Sequence, residues 1–306
     1  METLILGVGS VTIDDLLYVE EYPRPESKSR VKESARQLGG LTAAALVAAA
    51  RLGARCAFAG VLGHDELSEL AVSRMAGQGI DLGGVVRRQG ARPRHSTIIV
   101  DLSRNTRTIL VDTAGVDEDP SVPPDSAVAA AGVLFLDHTH PQRMLRMARA
   151  ARLAGVPTVA DFERDNVPGL GDLIALTDHL ILPWSLAERL TAASEPAQAV
   201  DRLWTGSRAA VVVTRGEQGA WYRAVGAVGG AADVAHQPAF RVPVVDTTGC
   251  GDVFHGAYAA ALAQGLAPAA RVRLASAAAA LKATRRGAQA GSPTRGEVTA
   301  FLAERS

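Results

Sequence analysis

The sequence predicts an α/β protein with a mostly parallel sheet, and three observations support that prediction. Short apolar runs alternate with segments of helical spacing along most of the chain, which is the order that builds parallel strands with helical crossovers. Apolar residues make up 47% of the 306 residues, enough for a large core. No repeat or linker divides the sequence, so we expect one domain over residues 1–306.

The individual elements follow from apolar runs that are bounded by glycine, proline or charged residues. The first strand, Leu4–Val8, leads towards an Ala-rich helix at Thr42–Leu52. Further buried strands are expected at Ala54–Val61, Val133–Leu136, Pro157–Ala160, His179–Leu182 and Ala209–Thr214. Further helices are expected at Glu66–Gln78, Gln142–Leu153, Leu186–Ala193, Asp252–Ala263, Ala269–Thr284 and Arg295–Arg305.

Two pairs of β-rich segments interrupt this alternation. Ser96–Asp101 and Thr106–Asp112 are separated by four residues, a spacing typical of a hairpin. A second exposed pair is expected near Leu16–Val19 and Ser29–Ala35, on either side of a proline-rich stretch. Antiparallel pieces inserted into a parallel fold form either a lid or an antiparallel edge of the main sheet. We favour a lid, built from two insertions at about residues 11–36 and 92–113.

Charge and cysteine content exclude several functional classes. The 32 basic and 32 acidic residues cancel and are spread along the chain, which gives no basic surface for a nucleic-acid partner. The two cysteines make neither a disulfide framework nor a zinc site, and they suit a reducing compartment. The Ala-rich run before Arg51 is too short to span a membrane. We therefore expect a cytoplasmic enzyme with small-molecule partners and no membrane partner.

One segment near the C-terminal third carries most of the chemistry. Residues 244–257 read Val-Val-Asp-Thr-Thr-Gly-Cys-Gly-Asp-Val-Phe-His-Gly-Ala. Gly249, Cys250 and Gly251 place consecutive N–H groups at a helix N-terminus, where unsatisfied donors and the dipole favour an anion. Asp252 follows on the first turn, and a carboxylate beside a phosphate repels it unless it accepts a proton. The segment therefore indicates a phosphoryl-transfer centre, with ordinary turn and cap chemistry as the alternative.

This segment resembles the C-terminal signature of the ribokinase/PfkB carbohydrate kinases, Asp-Thr-x-Gly-Ala-Gly-Asp, and only Cys250 departs from its core. The resemblance covers essentially the whole chain and is closest, from Pro238 to Leu262, to the sulfofructose kinase branch. It implies a ribokinase-like three-layer α/β/α fold with a small β-sheet lid. It also implies ATP and a sugar or sugar-derived acceptor as partners, and a homodimer formed through the lid.

The resemblance assigns residues to the acceptor. Asp14 matches the aspartate that grips sugar hydroxyls, and Gly39 and Gly40 match two glycines that let the backbone approach the sugar. Without the family, an N-cap or loop role is the favoured interpretation of Asp14, and a helix-entry turn is the alternative for the two glycines. Ala44 replaces the usual asparagine, so ordinary ribose-like recognition is in doubt. Lys28 in the expected lid is a candidate partner for an anionic substrate group, or a solvated charge. The same two alternatives hold for the basic residues around the hairpin: Arg92, Arg94, His95, Arg104 and Arg107.

The nucleotide side resembles the family more closely. Thr214, Gly216 and Gly219 lie in a strand and glycine turn similar to those that hold the nucleotide's ribose and phosphates. Ser276 lies in an Ala-rich helix similar to the wall of the adenine pocket. A strand-to-hairpin turn and a tightly packed helix are the alternatives.

Two cation sites are also implied. Many relatives carry an Asn-x-x-Glu box that helps to organise Mg²⁺, and this chain lacks it. Mg²⁺ keeps several waters and is often held by nucleotide phosphates, so Asp161 and Glu188 are candidates for its second shell. Asp246 and Thr248, with carbonyl groups from about residues 285–291, match the place where relatives bind a monovalent cation. Potassium is therefore a candidate activator.

The function that follows is an ATP-dependent sugar kinase with Asp252 as general base and residues 249–251 as a backbone anion hole. The alternative is a catalytically weak relative that senses a sugar or nucleotide, which Ala44 and the missing Asn-x-x-Glu box suggest. A dinucleotide-dependent dehydrogenase is disfavoured, because Thr12 stands where the glycine fingerprint needs its third glycine.

Overall fold

The computed structural model describes residues 2–104, 106–226 and 233–305, which form two sheets flanked by helices. The strands are β1 (Leu4–Val8), β2 (Thr12–Val19), β3 (Val31–Gly39), β4 (Arg55–Leu62), β5 (Asp81–Arg87), β6 (Arg94–Asp101), β7 (Thr106–Asp112), β8 (Val133–Asp137), β9 (Thr158–Asp161), β10 (His179–Pro183), β11 (Ala210–Thr214), β12 (Ala220–Ala224) and β13 (Ala235–Gln237). The helices are α1 (Leu41–Arg51), α2 (Glu66–Ala76), α3 (Asp125–Ala129), α4 (Pro141–Ala154), α5 (Leu170–Leu176), α6 (Trp184–Thr191), α7 (Pro196–Leu203), α8 (Cys250–Ala263), α9 (Pro268–Ala283) and α10 (Arg295–Ala303).

The larger sheet has nine strands in the order β13-β12-β11-β10-β9-β8-β1-β4-β5. Every neighbouring pair from β11 to β5 is parallel, whereas β12 and β13 add an antiparallel edge. Its central strands are apolar and buried on both faces, as expected when helices cover both sides of a parallel sheet. The predicted mostly parallel α/β architecture is confirmed.

The smaller sheet has four strands in the order β3-β2-β6-β7. β2 pairs antiparallel with β3 and parallel with β6, and β6 pairs antiparallel with β7. The predicted lid hairpin corresponds to β6 and β7; its expected turn includes Asn105, which lies outside the described residues. These strands form a sheet of their own rather than an edge of the main sheet, which removes that alternative.

Two hydrophobic cores lie on opposite faces of the larger sheet. Successive residues of β1 alternate between them, with Ile5 in one core and Leu6 in the other. The first core contains the Ala-rich helices α1, α8 and α9, and the second contains α4 to α7. The chain therefore has three layers. Within the part of the chain that the structure describes, no helix is long and apolar enough to cross a membrane.

Small residues let α8 approach α1 closely. A Cβ atom built on Gly256 would lie 2.1 Å from the carbonyl oxygen of Ala45 and 2.9 Å from the Cβ of Ala48. The first distance is shorter than any non-bonded contact, so the helix pair requires glycine at this position. The close approach fixes the position of the α8 N-terminus relative to the sheet.

The strand order reverses at β1, which lies between β8 and β4. In open α/β sheets, ligands bind outside the carboxyl ends of the strands at such a switch point. β2 starts four residues after β1, so the smaller sheet begins at this edge. The last residues of β8 and β9, Asp137 and Asp161, lie at the same edge and are both buried.

Several elements differ from the sequence prediction. The predicted strands and helices are present with ends shifted by a few residues, but β5, β12, β13, α3, α5 and α7 were missed. β5 contains Gly83 and Gly84, and glycine weakens the local strand signal. β12 and β13 form the antiparallel edge and are only five and three residues long. Neither contains a long apolar run that would predict a strand. The three missed helices are five to eight residues long, too short for a clear helical period.

Candidate active site

The turn that begins α8 forms the centre of the site. Gly249 is the N-cap residue with φ of 79°, a conformation that favours glycine, and a Cβ there would lie 2.9 Å from the Cβ of Ala288. A Cβ at Gly251 would meet nothing within 4 Å, so the space beside that residue is open. Among the described residues, the N–H groups of Gly249 and Gly251 have no hydrogen-bond acceptor, whereas that of Cys250 donates to Thr247. Two donors therefore remain for an anion.

Asp252 is placed on the first turn of α8 with one oxygen unpaired. Its Oδ1 is buried and has no hydrogen-bond partner among the described residues. Burial, with the charges of Asp161 and Glu163, raises the pKa of Asp252 well above its usual value. A buried carboxylate that lacks partners is costly unless it serves a ligand. The arrangement favours a group that accepts a proton.

Asp161 and His255 lie beside Asp252 at the edge of the sheet. His255 Nδ1 lies 2.8 Å from the carbonyl oxygen of Gly251 and 3.4 Å from Asp161 Oδ2. Burial raises the pKa of Asp161 well above its usual value, and the charges of Glu163 and Asp137 add to that shift. The two carboxyl groups at this edge therefore resist simultaneous ionisation, so a bound cation would stabilise them.

Asp14 lies on one face of the small sheet, which is the predicted lid. A Cβ on Gly39 would overlap both Asp14 Oδ2, at 2.0 Å, and Thr12 Oγ1, at 2.4 Å, so these side chains share one face of the small sheet. Burial raises the pKa of Asp14, and hydrogen bonds from Thr12 and Ser96 oppose that shift. The neighbouring Asp15 points the other way and is occupied by Arg36 and His95. Asp14 is the carboxylate that remains for a ligand.

A buried network around Asp137 organises the entry to α1. Its Oδ2 accepts from Ser10 N at 2.6 Å, Ser10 Oγ at 2.8 Å and Thr42 Oγ1 at 2.9 Å, and its Oδ1 accepts from Thr139 N at 2.8 Å. Ser10 Oγ accepts in turn from Leu41 N at 2.9 Å, at the first residue of α1. These hydrogen bonds keep the pKa of Asp137 low although burial would raise it. Asp137 was not among the site residues predicted from the sequence.

Gly40 connects this network to the lid. It is the N-cap residue of α1 with φ of 93°, and a Cβ there would lie 2.6 Å from the carbonyl oxygen of Ser10. Ala44, on the next turn, is buried in the core and has no polar group for a ligand. Gly39 and Gly40 therefore act through backbone shape, while the asparagine expected in the family is absent.

Arg94 lies at the base of the same lid face. It pairs in register with Thr12, and Ser96 pairs with Asp14, so the four side chains project from one face. The Nε of Arg94 is buried without a hydrogen-bond partner, and no described residue forms an ion pair with its guanidinium. Arg94 lines a cavity together with Gly9, Ser10, His140 and Arg143. A half-buried cation without an acidic partner is a candidate anion site.

Arg107 connects the small sheet to the turn that begins α8. It lies on β7, and its Nη1 donates to Thr248 Oγ1 at 2.8 Å. Thr248 N donates in turn to Asp246 Oδ1 at 2.8 Å. The contact brings the lid hairpin to the residue before Gly249. From the sequence, Arg107 was expected to be either a partner for an anionic substrate group or a solvated surface charge.

Lys28 and Glu188 are not brought to this cluster. Lys28 is exposed between β2 and β3, and it forms no ion pair with a described residue. Glu188 is exposed on α6. The roles of Lys28 in the substrate site and of Glu188 in the magnesium site stay predictions.

Three of the residues predicted to bind the nucleotide lie at the end of β11 and in the turn that follows it. Thr214 ends β11, and Gly216 and Gly219 have φ of 49° and 95° in the tight turn that follows. A Cβ on Gly219 would lie 2.1 Å from the carbonyl oxygen of Gln237, so glycine is required there. Ser276 on α9 is buried, and its Oγ has no partner among the described residues. An unpaired buried hydroxyl fits a ligand-facing position.

The described residues contain no cluster of three acidic, histidine or cysteine side chains that could hold a metal ion by themselves. The unpaired Oδ1 of Asp252 and the neighbouring Asp161 fit a hydrated Mg²⁺ whose remaining ligands come from phosphates. At the expected monovalent site, Asp246 Oδ2 accepts from Gly287 N at 2.9 Å, and Lys282 Nζ donates to the carbonyl oxygen of Asp246 at 2.8 Å.

Comparisons with known proteins identify the family of the chain. The sequence matches the family described as pfkB family carbohydrate kinase over residues 2–295. It is 24% identical to the ribokinase of Haemophilus influenzae, over 99% of both chains. A provisionally assigned ribokinase from Agrobacterium tumefaciens has a matching crystal structure with a TM-score of 0.89 at 30% identity, covering 100% of this chain and 99% of that chain. Arabidopsis thaliana ribokinase, solved with ribose and ATP, matches with a TM-score of 0.85 at 25% identity over 99% of both chains.

The chain therefore belongs to the pfkB family of carbohydrate kinases. It has the ribokinase-like fold and is a sugar kinase, so the resemblance stated from its signature is confirmed.

Replacing Asp137 by asparagine should lower the free energy of unfolding by about 2–4 kcal/mol, because an amide nitrogen would face hydrogen-bond donors inside the core. Urea denaturation at neutral pH measures the difference, and Asp172→Asn on the exposed face of α5 is the control. The pKa of Asp137 is lowered in the folded state, so its stabilisation exists above the unfolded pKa of about 3.9 and is lost as pH falls through the lower folded value. A variant as stable as the control would contradict this role.

Proposed function

We propose that this chain is an ATP-dependent kinase that transfers the γ-phosphoryl group to a hydroxyl of a sugar or sugar-derived acceptor. One observation supports it above the others: the buried, unpaired Oδ1 of Asp252 stands beside a glycine turn whose free N–H groups open to space. The turn attracts an anion, whereas the carboxylate repels one. A site that contains both is suited to a phosphate and to the hydroxyl that attacks it.

In the proposed reaction, the acceptor oxygen forms a bond to the γ-phosphorus while its proton moves to Asp252. The bond from that phosphorus to the bridging oxygen breaks, and ADP leaves with the electron pair. The N–H groups of Gly249 and Gly251 stabilise the charge on the transferred group. The raised pKa of Asp252 makes its carboxylate a stronger base than an exposed aspartate.

The donor is proposed to be ATP, because Arabidopsis ribokinase of the same fold was solved with ATP. Thr214, Gly216 and Gly219 resemble the strand and glycine turn that hold the nucleotide in relatives, and the unpaired hydroxyl of Ser276 suits a polar contact with it. Bound Mg²⁺ would neutralise phosphate charge and orient the γ-phosphoryl group. Asp161 and Asp252 would hold its waters, since no protein cage is available among the described residues.

The acceptor is proposed to carry an anionic group. Asp14 offers a carboxylate for vicinal hydroxyls, which is the ordinary sugar contact. Arg94 adds a guanidinium on the same lid face with no acidic partner. A carboxylate, sulfonate or phosphate on the acceptor would supply the missing charge. The absence of an amide at Ala44 agrees with recognition that differs from that of ribose.

The sensor alternative rested on Ala44 and on the missing Asn-x-x-Glu box. Neither Ala44 nor the missing box belongs to the proposed anion-binding turn, residues 249–251. Asp252 retains an unpaired oxygen, and its pKa is raised. We therefore favour catalysis over sensing.

We propose a homodimer in which two copies of the chain contact each other through the small sheet, on the face opposite Asp14. Leu17 pairs with Ile99, and Leu110 lies near them on β7 with 54% of its surface exposed. The face also carries the Asp15–Arg36 ion pair, so it combines an apolar centre with a polar margin.

Asp252→Asn should lower turnover by about 100-fold or more, because the general base is lost, and should leave nucleotide affinity within a few-fold. An ATP-consumption assay with the best acceptor, together with nucleotide titration calorimetry, measures both effects. In the wild type, kcat/KM should rise with pH through a pKa above the ordinary aspartate value of about 3.9, since the ionised carboxylate is the active form. Unchanged turnover in Asp252→Asn would refute the assignment.

Arg94→Met should separate charged from uncharged acceptors. We expect kcat/KM to fall by about 10- to 100-fold for the anionic member of a matched pair, such as fructose 6-phosphate against fructose or gluconate against glucose. The uncharged member should change by less than about threefold. Arg149→Met, an exposed position on α4, is the control. Equal losses for both members would show that Arg94 serves structure rather than charge recognition.

Sedimentation velocity should give the mass of a dimer for the wild type, and Leu110→Asp should shift the population to monomer, because a buried charge is costly at an apolar contact. Leu153→Asp is the matched control, since Leu153 is 91% exposed on α4, away from the lid. A wild-type protein that is monomeric at micromolar concentration would contradict the proposed dimer.

A further inference from the structure

Lys282 is a wholly buried lysine in the last turn of α9. Its Nζ donates to the carbonyl oxygen of Asp246 at 2.8 Å and to that of Arg285 at 3.2 Å. Over the described ranges, no carboxylate oxygen lies within 4.0 Å of this ammonium. Burying an ammonium is costly unless polar groups replace its water. Here two main-chain carbonyl groups replace it, and that of Arg285 lies just past the C-terminus of α9, where the helix dipole favours a positive charge.

Both carbonyl groups belong to the region that the family resemblance matched to a monovalent metal ion. Asp246 and Thr248 were predicted to bind potassium together with carbonyl groups from about residues 285–291, and Lys282 already donates to the carbonyl groups of Asp246 and Arg285. The carboxylate of Asp246 also accepts hydrogen bonds from the N–H groups of Thr248 and Gly287. Because the Lys282 ammonium already carries a positive charge at these carbonyl groups, a second cation there would be repelled, and the residues present do not fit a potassium ion.

The lysine side chain also fills the space between these carbonyl groups. A Cβ built on Gly291 would lie 2.7 Å from Lys282 Cδ and 3.1 Å from its Cε. The stem of the lysine thus passes directly against the backbone of the loop that follows α9. Its charge and its volume together occupy the region between that loop and Asp246.

The ammonium is connected to the anion-binding turn through the main chain. Val245 N and Asp246 N both donate to the carbonyl oxygen of Ala283, at 2.8 and 3.1 Å, so the residues before the turn are fastened to the end of α9. Lys282 adds a third bond to the same segment. Asp246 then positions Thr248, which directly precedes the Gly249 cap of α8.

We propose that the Lys282 ammonium takes the place of a monovalent metal ion and holds the Asp246–Gly249 segment in shape, so that this chain needs no potassium. Lys282 is a positioning residue, since it acts on the anion-binding turn through Asp246. The activity part of the test rests on the proposed kinase function, whereas the stability part does not.

The wild-type protein is measured first, in KCl and in choline chloride at equal ionic strength. The midpoint of thermal unfolding, with and without ADP and Mg²⁺, should be the same in both salts, and turnover should differ by less than about twofold. Potassium-specific activation of about fivefold or more, or a potassium-specific rise in Tm, would overturn the proposal. If no acceptor is phosphorylated at all, the kinase proposal fails while the Tm comparison still decides the role of Lys282.

Lys282→Ala removes the ammonium and opens room for an ion. In choline chloride its turnover should fall by about 10-fold or more, and KCl or NH₄Cl should restore about fivefold or more of that loss and raise its Tm. Arg273→Ala, on the same helix, should show no potassium effect in either measurement. A Lys282→Ala protein that is fully active in choline chloride, or that is impaired without any response to potassium, would contradict the proposal. If the variant does not fold, the wild-type salt comparison remains decisive.

Discussion

The structure depends on keeping a carboxylate and a set of backbone donors unpaired at the same place. Asp252 keeps Oδ1 buried without a partner, and the adjoining glycine turn keeps two N–H groups free. Both features are unfavourable in a folded chain that binds nothing. They persist because the surrounding segments are fixed independently: Gly256 lets α8 pack closely on α1, and the main chain around Asp246 is bonded to the end of α9.

The opposite side of the edge is organised by a carboxylate that is fully paired. Asp137 collects hydrogen bonds from Ser10, Thr42 and Thr139, and through Ser10 it caps the helix that follows Gly40. Two aspartates at one sheet edge therefore have different tasks, since hydrogen bonds keep the pKa of Asp137 low while burial raises the pKa of Asp252. The first fixes the entry to α1, and we propose that the second exchanges a proton with the acceptor.

The sequence predicted the elements whose signal is local. The apolar strands at the centre of the sheet and the long Ala-rich helices were found, because burial on both faces leaves a continuous pattern. The glycine-containing β5 was missed because glycine weakens the strand signal, and β12 and β13 were missed because they are short and contain no long apolar run. The turn around Gly249 was recognised for the same reason that the central strands were: its residues are contiguous.

The rest of the site depends on contacts between segments that are far apart in the chain. Ser10 and Asp137 are 127 residues apart, and Arg107 and Thr248 are 141 apart. No pattern within one segment reveals such a contact. Lys282 did leave a signal, a lone lysine in a run of alanines, but its carbonyl partners belong to the ends of two other segments. Lys28 and Glu188 had the right charge, yet both lie exposed.

The most direct measurement is a crystal structure with Mg²⁺ and a non-hydrolysable ATP analogue. We expect a γ-phosphate oxygen about 2.7–3.2 Å from the nitrogen of Gly249 or Gly251. We also expect the carboxylate of Asp252 to face a bound acceptor on the side of Asp14. A terminal phosphate bound away from that turn, or an Asp252 side chain hydrogen-bonded within the protein and closed to an acceptor, would contradict the proposed mechanism.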